Sequence, residues 1–93
     1  MQNIQDLMRS SEAVFVDVRS EMEFDMEHIK GAKNIPLEEI LSRKDEIDSL
    51  GRPLIFYCRS GNRSGMAVSL LKQAGLNDIY NGGGIDIVKM ILS

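Results

Sequence analysis

Apolar runs alternate with amphipathic segments along the 93-residue chain. Residues 13–18 and 54–57 are almost wholly apolar and rich in β-branched or aromatic side chains, which is typical of parallel strands covered on both faces. Shorter β-favouring segments at residues 34–36 and 76–80 predict two further strands. The pattern therefore predicts a small sheet whose two most apolar strands are buried.

Apolar residues at helical spacing fill the segments between these strands. They predict a short first helix at residues 4–9 and a short helix or loop at 21–29. Two short surface helices are predicted within 37–50, and one clear helix at 67–74. Three glycines at 82–84 predict a turn into a last helix through Met90. We expect one α/β domain over residues 1–93, with a mostly parallel sheet of four to five strands and helices on both faces.

Composition and charge narrow the classes of function. The chain has 43% apolar and 27% charged residues, as a globular protein does. No segment approaches the ~20 apolar residues of a membrane helix, and residues 1–6 do not resemble a signal peptide. We therefore expect a cytoplasmic protein without a membrane partner. A net charge of -3 without a basic stripe disfavours nucleic acid as a partner.

The single cysteine is the main candidate for chemistry. One cysteine and one histidine allow neither an internal disulfide nor a zinc site of the usual kinds, so we expect no metal and no other cofactor. Most lone cysteines only pack in a core. Cys58 instead stands at the end of a predicted core strand and is followed by seven polar or small residues, which favours a reactive thiol.

The segment after Cys58 reads Arg-Ser-Gly-Asn-Arg-Ser-Gly and leads into the clearest helix. A helix N-terminus exposes free N–H groups and a partial positive charge, so a loop folded over it binds anions. Gly61 lets the backbone turn, and Asn62 tolerates left-handed conformations, which favours a concave nest of amides. With Arg59 and Arg63 nearby, the thiol is predicted to have a depressed pKa and to act as a thiolate nucleophile.

Residues 57–65 resemble the active-site loop of the rhodanese family. A second match is Val-Asp-Val-Arg-Ser at 16–20, followed by His-Ile-Lys-Gly-Ala-Lys-Asn-Ile-Pro at 28–36. A third is Tyr-Asn-Gly-Gly-Gly-Ile at 80–85, similar to the Gly-Gly turn before the last helix of that family. The matches follow one another in the order of the family, and their joint occurrence is specific.

The resemblance implies the rhodanese fold and a two-step sulfur transfer. Cys58 would take sulfane sulfur from a small anionic donor such as thiosulfate and hold it as a persulfide. The sulfur would then pass to cyanide or a thiol, which includes a thioredoxin-like protein acceptor. Asp17 and Arg19 would support the site through an ion pair or loop hydrogen bonds. The residues expected to bind the donor are Arg59, Ser60, Gly61, Asn62, Arg63 and Ser64.

Two other functions stay open. Cysteine phosphatases hold a thiolate in the same kind of cradle, but their motif has one residue more than the four between Cys58 and Arg63. The loop also supplies no carboxylic acid to protonate a leaving alcohol. A binding or regulatory module could keep the fold without turnover, although modules of that kind commonly lose the cysteine.

The single histidine and a cluster of acidic residues are expected to lie outside the chemistry of the site. His28 is expected to have a structural role, because a thiolate at a helix terminus needs no separate base. The acidic cluster of Glu21, Glu23, Asp25 and Glu27 lacks the spacing of a hard-cation loop and is expected to form a solvated face.

Overall fold

The computed structural model describes residues 3–93. Its elements are, in order, α1 (Ile4–Arg9), β1 (Val14–Asp17), α2 (Glu21–Met26), β2 (Lys33–Asn34), a 3₁₀ turn (Leu37–Glu39), α3 (Lys44–Asp48), β3 (Leu54–Cys58), α4 (Asn62–Gln73), β4 (Ile79–Gly84) and α5 (Ile85–Leu92). Within this part of the chain, every helix is too short or too polar to cross a membrane.

The four strands form one parallel sheet in the order β2-β1-β3-β4. In the centre, Val14 of β1 pairs with Leu54 of β3, and Asp17 pairs with Tyr57. Every residue of β3 is buried, as expected for an inner strand covered on both faces. The predicted α/β fold with a parallel sheet is confirmed.

Successive residues of β3 pack against two different helical layers. Leu54, Phe56 and Cys58 share a buried cluster with residues of α3 and α4. Ile55 and Tyr57 belong to a second cluster with α1 and α5. Because side chains alternate across a strand, the strand that fills both cores also brings Cys58 to the face of the sheet that α4 covers.

The end of β4 differs from the sequence prediction. The strand was predicted over residues 76–80 with a turn at 82–84, whereas it begins at Ile79 and continues through Gly84, and α5 follows directly. Phe56 pairs with Asn81 but Tyr57 pairs with Gly83, so one extra residue forms a bulge. The turn prediction is wrong because glycines in a strand can also mark a close approach of two backbones.

That close approach joins β4 to the loop after β3. A Cβ atom on Gly84 would lie 2.5 Å from the Arg59 carbonyl oxygen, and one on Gly61 would lie 3.3 Å from the Gly83 Cα. No side chain fits at Gly84 unless one of the two segments moves. The glycine run therefore sets the position of the loop that carries Cys58.

We expect Gly84→Ala to destabilise the fold. Gly84 has φ −83° and ψ 153°, which any residue can adopt, so the effect is steric. Overpacking of this kind costs about 1–3 kcal/mol in the free energy of unfolding, measured by urea denaturation. Gly51→Ala is the control, because the added Cβ would lie 3.3 Å from the side-chain atom Cγ2 of Val14 and would therefore clash much less than at Gly84. Equal losses in both variants would contradict the steric argument.

Candidate active site

The sulfur of Cys58 receives hydrogen bonds from the residue before α4 and from the first turn of that helix. The Gly61 N–H donates to Sγ at 3.0 Å, and the Ser64 N–H approaches it at 3.5 Å. The residue before α4 is Gly61, which has a left-handed φ of 97° and no side chain that could cap the helix. Capping side chains ordinarily accept from the second or third N–H of a helix, and Ser64 is the third residue of α4. The thiol thus occupies the position of a capping acceptor.

The loop geometry refines the sequence expectation. The left-handed residue is Gly61, as its missing Cβ favours. Asn62, to which a left-handed tolerance was also attributed, is instead the first residue of α4. The helix therefore begins before Ala67, where apolar spacing first indicates it. Arg63 and Ser64 consequently belong to the helical first turn and not to the connecting loop.

The pKa of Cys58 lies below the ordinary thiol value of 9.0. Burial raises this pKa, since the residue is only 1% exposed. The Ser64 hydroxyl, when its proton is turned towards the sulfur, and the amides of Ser64, Ser60 and Gly61 lower it by more. The direction agrees with the prediction, but the dominant donors are uncharged groups of the loop rather than the arginines.

Glu23 of α2 pairs with Arg59 of the loop and with Arg63 in the first turn of α4. Its carboxylate accepts two hydrogen bonds from Arg63, at 2.8 and 3.1 Å, and lies 3.8 Å from Arg59 Nε. It also accepts from the Ser20 N–H at 3.1 Å, which completes the capping box of α2. The Arg63 hydrogen bond lowers the pKa of Glu23 to about 2. The expectation of a solvated acidic face therefore fails for Glu23.

Asp17 and Arg19 form the predicted ion pair, inside the protein. Arg19 Nη2 donates to Asp17 Oδ2 at 2.8 Å, with the two side chains 1% and 0% exposed. The guanidinium also donates to the Glu27 carbonyl at 2.6 Å and lies 5.9 Å from the centre of the Tyr57 ring. The pair is buried, and its hydrogen bonds to each other and to the Glu27 carbonyl offset its desolvation.

Asn81 of β4 holds the loop from the other side, a role that the sequence did not suggest. Its Nδ2 donates to the Gly61 carbonyl at 3.1 Å, and its Oδ1 accepts from the Ser64 hydroxyl at 2.7 Å. The same oxygen accepts from the Gly83 N–H at 3.0 Å. One signal could have found it: a polar residue directly before a glycine run, at the carboxyl end of a parallel strand.

The predicted site residues fall into two groups. Gly61 and Ser64 contact the sulfur, whereas Arg63 is held in the ion pair with Glu23. The other residues predicted to bind the donor are exposed at the mouth of the loop, namely Arg59, Ser60 and Asn62, although the Ser60 amide also helps to lower the pKa of the thiol. The structure thus brings part of the predicted set to the thiol and leaves part at the surface.

His28 makes local contacts, in agreement with its predicted structural role. Its Nδ1 lies 2.8 Å from the Phe24 carbonyl oxygen, one helical turn back along the chain. The imidazole also stacks on the Phe24 ring, with centroids 3.8 Å apart and planes 9° apart. These contacts fix the end of α2.

A family model of the rhodanese-like domain matches residues 1–86. The chain belongs to the rhodanese-like domain family. Among the relatives of this chain, the uncharacterized protein YqhL of Bacillus subtilis is 44% identical over 69 residues, which cover 74% of this chain and 54% of that protein. The thiosulfate sulfurtransferase PspE of Escherichia coli is 32% identical over 77 residues, which cover 82% of this chain and 74% of that protein.

Solved structures show the same rhodanese-like fold. The human single-domain sulfurtransferase TSTD1 superposes with a TM-score of 0.71 and 30% sequence identity, over 87% of this chain and 83% of that one. The chain spans only about half the length of the Bacillus subtilis relative. The rhodanese-like relatives of this chain thus include sulfurtransferases.

We expect the stability of this rhodanese-like domain to fall with pH through the titration of Glu23. Its pKa is lowered from 4.5 to about 2 in the folded protein, so the ion pair stabilises the fold above pH 4.5 and is lost as the pH falls to about 2. The contribution is about 1–2 kcal/mol, because solvent screens a partly exposed pair.

The measurement is urea denaturation at a series of pH values from neutral to acid. Glu23→Gln should lower stability at neutral pH and flatten its dependence in the acid range. Glu21→Gln, on the exposed side of the same helix turn, is the matched control. An unchanged acid slope in Glu23→Gln would show that this carboxylate does not govern the transition.

Proposed function

We propose that this protein is a sulfurtransferase that carries a sulfane sulfur on Cys58 as a persulfide. The donor is a small anion such as thiosulfate, and the acceptor is cyanide or a thiol. The observation that carries the proposal is the thiol at a capping position, with the Gly61 N–H at 3.0 Å and the Ser64 N–H at 3.5 Å.

The reaction has two displacement steps at sulfur. First, the Cys58 thiolate attacks the outer sulfur of thiosulfate, a new S–S bond forms, and the old S–S bond breaks with its electron pair leaving on sulfite. In the second step the acceptor attacks the terminal sulfur of the persulfide, and the electron pair of that bond returns to Cys58. Cyanide becomes thiocyanate, or a thiolate becomes a persulfide, and neither step needs a cofactor.

Preorganised amides are suited to both steps. The negative charge moves between the cysteine sulfur and the terminal sulfur, and fixed N–H dipoles stabilise it as an oxyanion hole stabilises oxygen. Gly61 and Ser64 supply such dipoles at the start of α4, where the helix itself favours an anion. This arrangement supports a persulfide without requiring a charged residue in contact with it.

The surface charge at the mouth of the loop supports an anionic donor. Arg63 is bound in bidentate fashion by Glu23, whereas Arg59 has the longer contact of 3.8 Å and is 70% exposed. Two arginines and one carboxylate leave a net positive charge at the mouth. Arg59 is therefore the side chain best placed to attract the donor.

A phosphatase is less well supported by the same geometry. Hydrolysis of a phosphate ester needs an acid to protonate the leaving alcohol. Glu23, the carboxylate that contacts the loop arginines, has a pKa of about 2 and is ionised at neutral pH. Four residues separate Cys58 from Arg63, which gives a tighter loop than the phosphatase motif has.

The proposed partners follow from the chemistry of the carried atom. A sulfane sulfur is accepted by nucleophilic thiols, so a thioredoxin-like protein is a suitable acceptor besides small molecules. Neither a membrane nor a nucleic acid takes part. We place the reaction in a reducing compartment such as the cytoplasm, where the Cys58 thiol is kept free.

Cys58→Ser should abolish sulfur transfer with little loss of stability. The serine hydroxyl can still accept the Gly61 N–H, but it cannot form a persulfide. Thiosulfate:cyanide activity, melting temperature and the intact mass after incubation with thiosulfate are measured on both proteins. The wild type should gain the mass of one sulfur atom, removable by reductant, and the variant should not.

Two results would contradict this assignment. Activity retained in Cys58→Ser would exclude the cysteine as sulfur carrier. A wild type that neither gains sulfur nor transfers it would favour a binding or regulatory module, and release of phosphate from an aryl phosphate would favour the phosphatase.

Arg59→Gln should raise the KM for thiosulfate while leaving kcat almost unchanged. Loss of an attracting charge should raise this KM by roughly threefold to tenfold at low salt and by less at high salt. The control is Lys72→Gln, which removes an exposed positive charge at the far end of α4. Equal effects of both variants would show that only the net charge of the protein matters.

A further inference from the structure

The Ser64 hydroxyl has one proton to donate and two neighbouring atoms that could accept it. Its oxygen lies 3.4 Å from the Cys58 sulfur and 2.7 Å from Asn81 Oδ1. A serine hydroxyl donates one hydrogen bond and accepts others through its lone pairs. When Ser64 donates to Asn81, it can therefore only accept from the sulfur, and that requires the sulfur to be protonated.

The backbone fixes which end of the Asn81 amide faces Ser64. The Gly83 N–H can only donate, and it lies 3.0 Å from Oδ1. The Gly61 carbonyl can only accept, and it lies 3.1 Å from Nδ2. A flipped amide would place donor against donor and acceptor against acceptor, so Oδ1 is the atom next to the Ser64 hydroxyl.

From these contacts we propose that Asn81 is a positioning residue that withholds the Ser64 proton from the Cys58 sulfur and so limits the fraction of thiolate. In the thiol state a continuous chain runs from the Cys58 S–H to the Ser64 oxygen and from the Ser64 O–H to Asn81. In the thiolate state the hydroxyl must leave Asn81 before it can donate to sulfur. Asn81 therefore competes directly with the anionic sulfur for one hydrogen bond.

The charged groups around the thiol are separate from this competition. They are Arg59 and Arg63 of the loop and first turn, Glu23 of α2, and the Asp17–Arg19 pair at the end of β1. None of them bonds to the Asn81 side chain. Replacing Asn81 therefore changes the hydrogen bonding of Ser64 without removing a charge from the site.

Asn81 also has a second contact that acts in the opposite direction. Its bond to the Gly61 carbonyl anchors the loop, and the Gly61 N–H is a donor to sulfur. Loss of that anchor alone would loosen the loop and raise the pKa of the thiol. The two effects are separated by comparing Asn81 variants in proteins with and without the Ser64 hydroxyl.

The test is the pKa of Cys58, which is read from the pH dependence of its alkylation by iodoacetamide. Because the protein has a single cysteine, all of the alkylation reports on Cys58. Asn81→Ala should lower this pKa by about 0.5 to 1, the size of one net hydrogen bond. The same change made in the Ser64→Ala protein should not lower the pKa, and it should raise it to the extent that loss of the anchor to the Gly61 carbonyl loosens the loop. Asn77→Ala is the matched control: Asn77 is exposed, and its side chain makes no hydrogen bond among residues 3–93. If Asn81→Ala unfolds, Asn81→Val removes the acceptor with a residue suited to a strand.

An unchanged or raised pKa in the Asn81 variant would overturn the inference, as would an equal decrease with and without the Ser64 hydroxyl. The inference concerns the loop of the proposed sulfurtransferase, but its test needs only a reactive thiol. Failure to transfer sulfur together with the expected pKa decrease would overturn the proposed function alone. Normal sulfur transfer without the decrease would overturn the role of Asn81 alone.

Discussion

The hydrogen bonds that Gly61 and Ser64 donate to the Cys58 sulfur at the start of α4 are the contacts on which the site depends. They form because β3 ends against the start of α4 and Gly61 takes a left-handed conformation between them. A thiol that serves as a helix cap has two roles, since it satisfies backbone donors and is itself made more acidic by them. The stability of this helix end and the reactivity of the sulfur are therefore coupled.

A loop of this kind needs support from elsewhere in the fold, and β4 supplies it. Gly84 lets the strand approach the Arg59 carbonyl, while Asn81 bonds to Gly61 and Ser64. Glu23 holds Arg63 from the opposite side of the first turn. The conformation of the loop is thus determined by residues on separate elements, none of which follows from the loop sequence itself.

Because the loop is held by residues from other elements, only part of the structure could be predicted from the sequence. The inner strands and α4 were predictable because each buries a long apolar pattern, and the position of Cys58 followed from the end of β3. The extent of β4 could not be predicted, because Gly82 to Gly84 have no alternation of apolar and polar side chains and their conformation depends on packing against the loop. The contact of Glu23 with Arg63 joins residues 40 apart in the chain, a separation at which charge patterns along the sequence give no pairing.

Because Glu23 pairs with Arg63, stabilisation of the sulfur and attraction of an anion depend on different groups. A half-buried arginine without a partner would be costly, so the carboxylate fixes Arg63 and offsets most of its charge. The sulfur is then stabilised mainly by amide dipoles, which act at hydrogen-bonding distance and are little affected by dissolved salt. In the proposed sulfurtransferase, attraction of an anionic donor would depend instead on the exposed Arg59, whose charge salt screens. Ionic strength should therefore change how readily the donor is captured and leave the acidity of the thiol nearly constant.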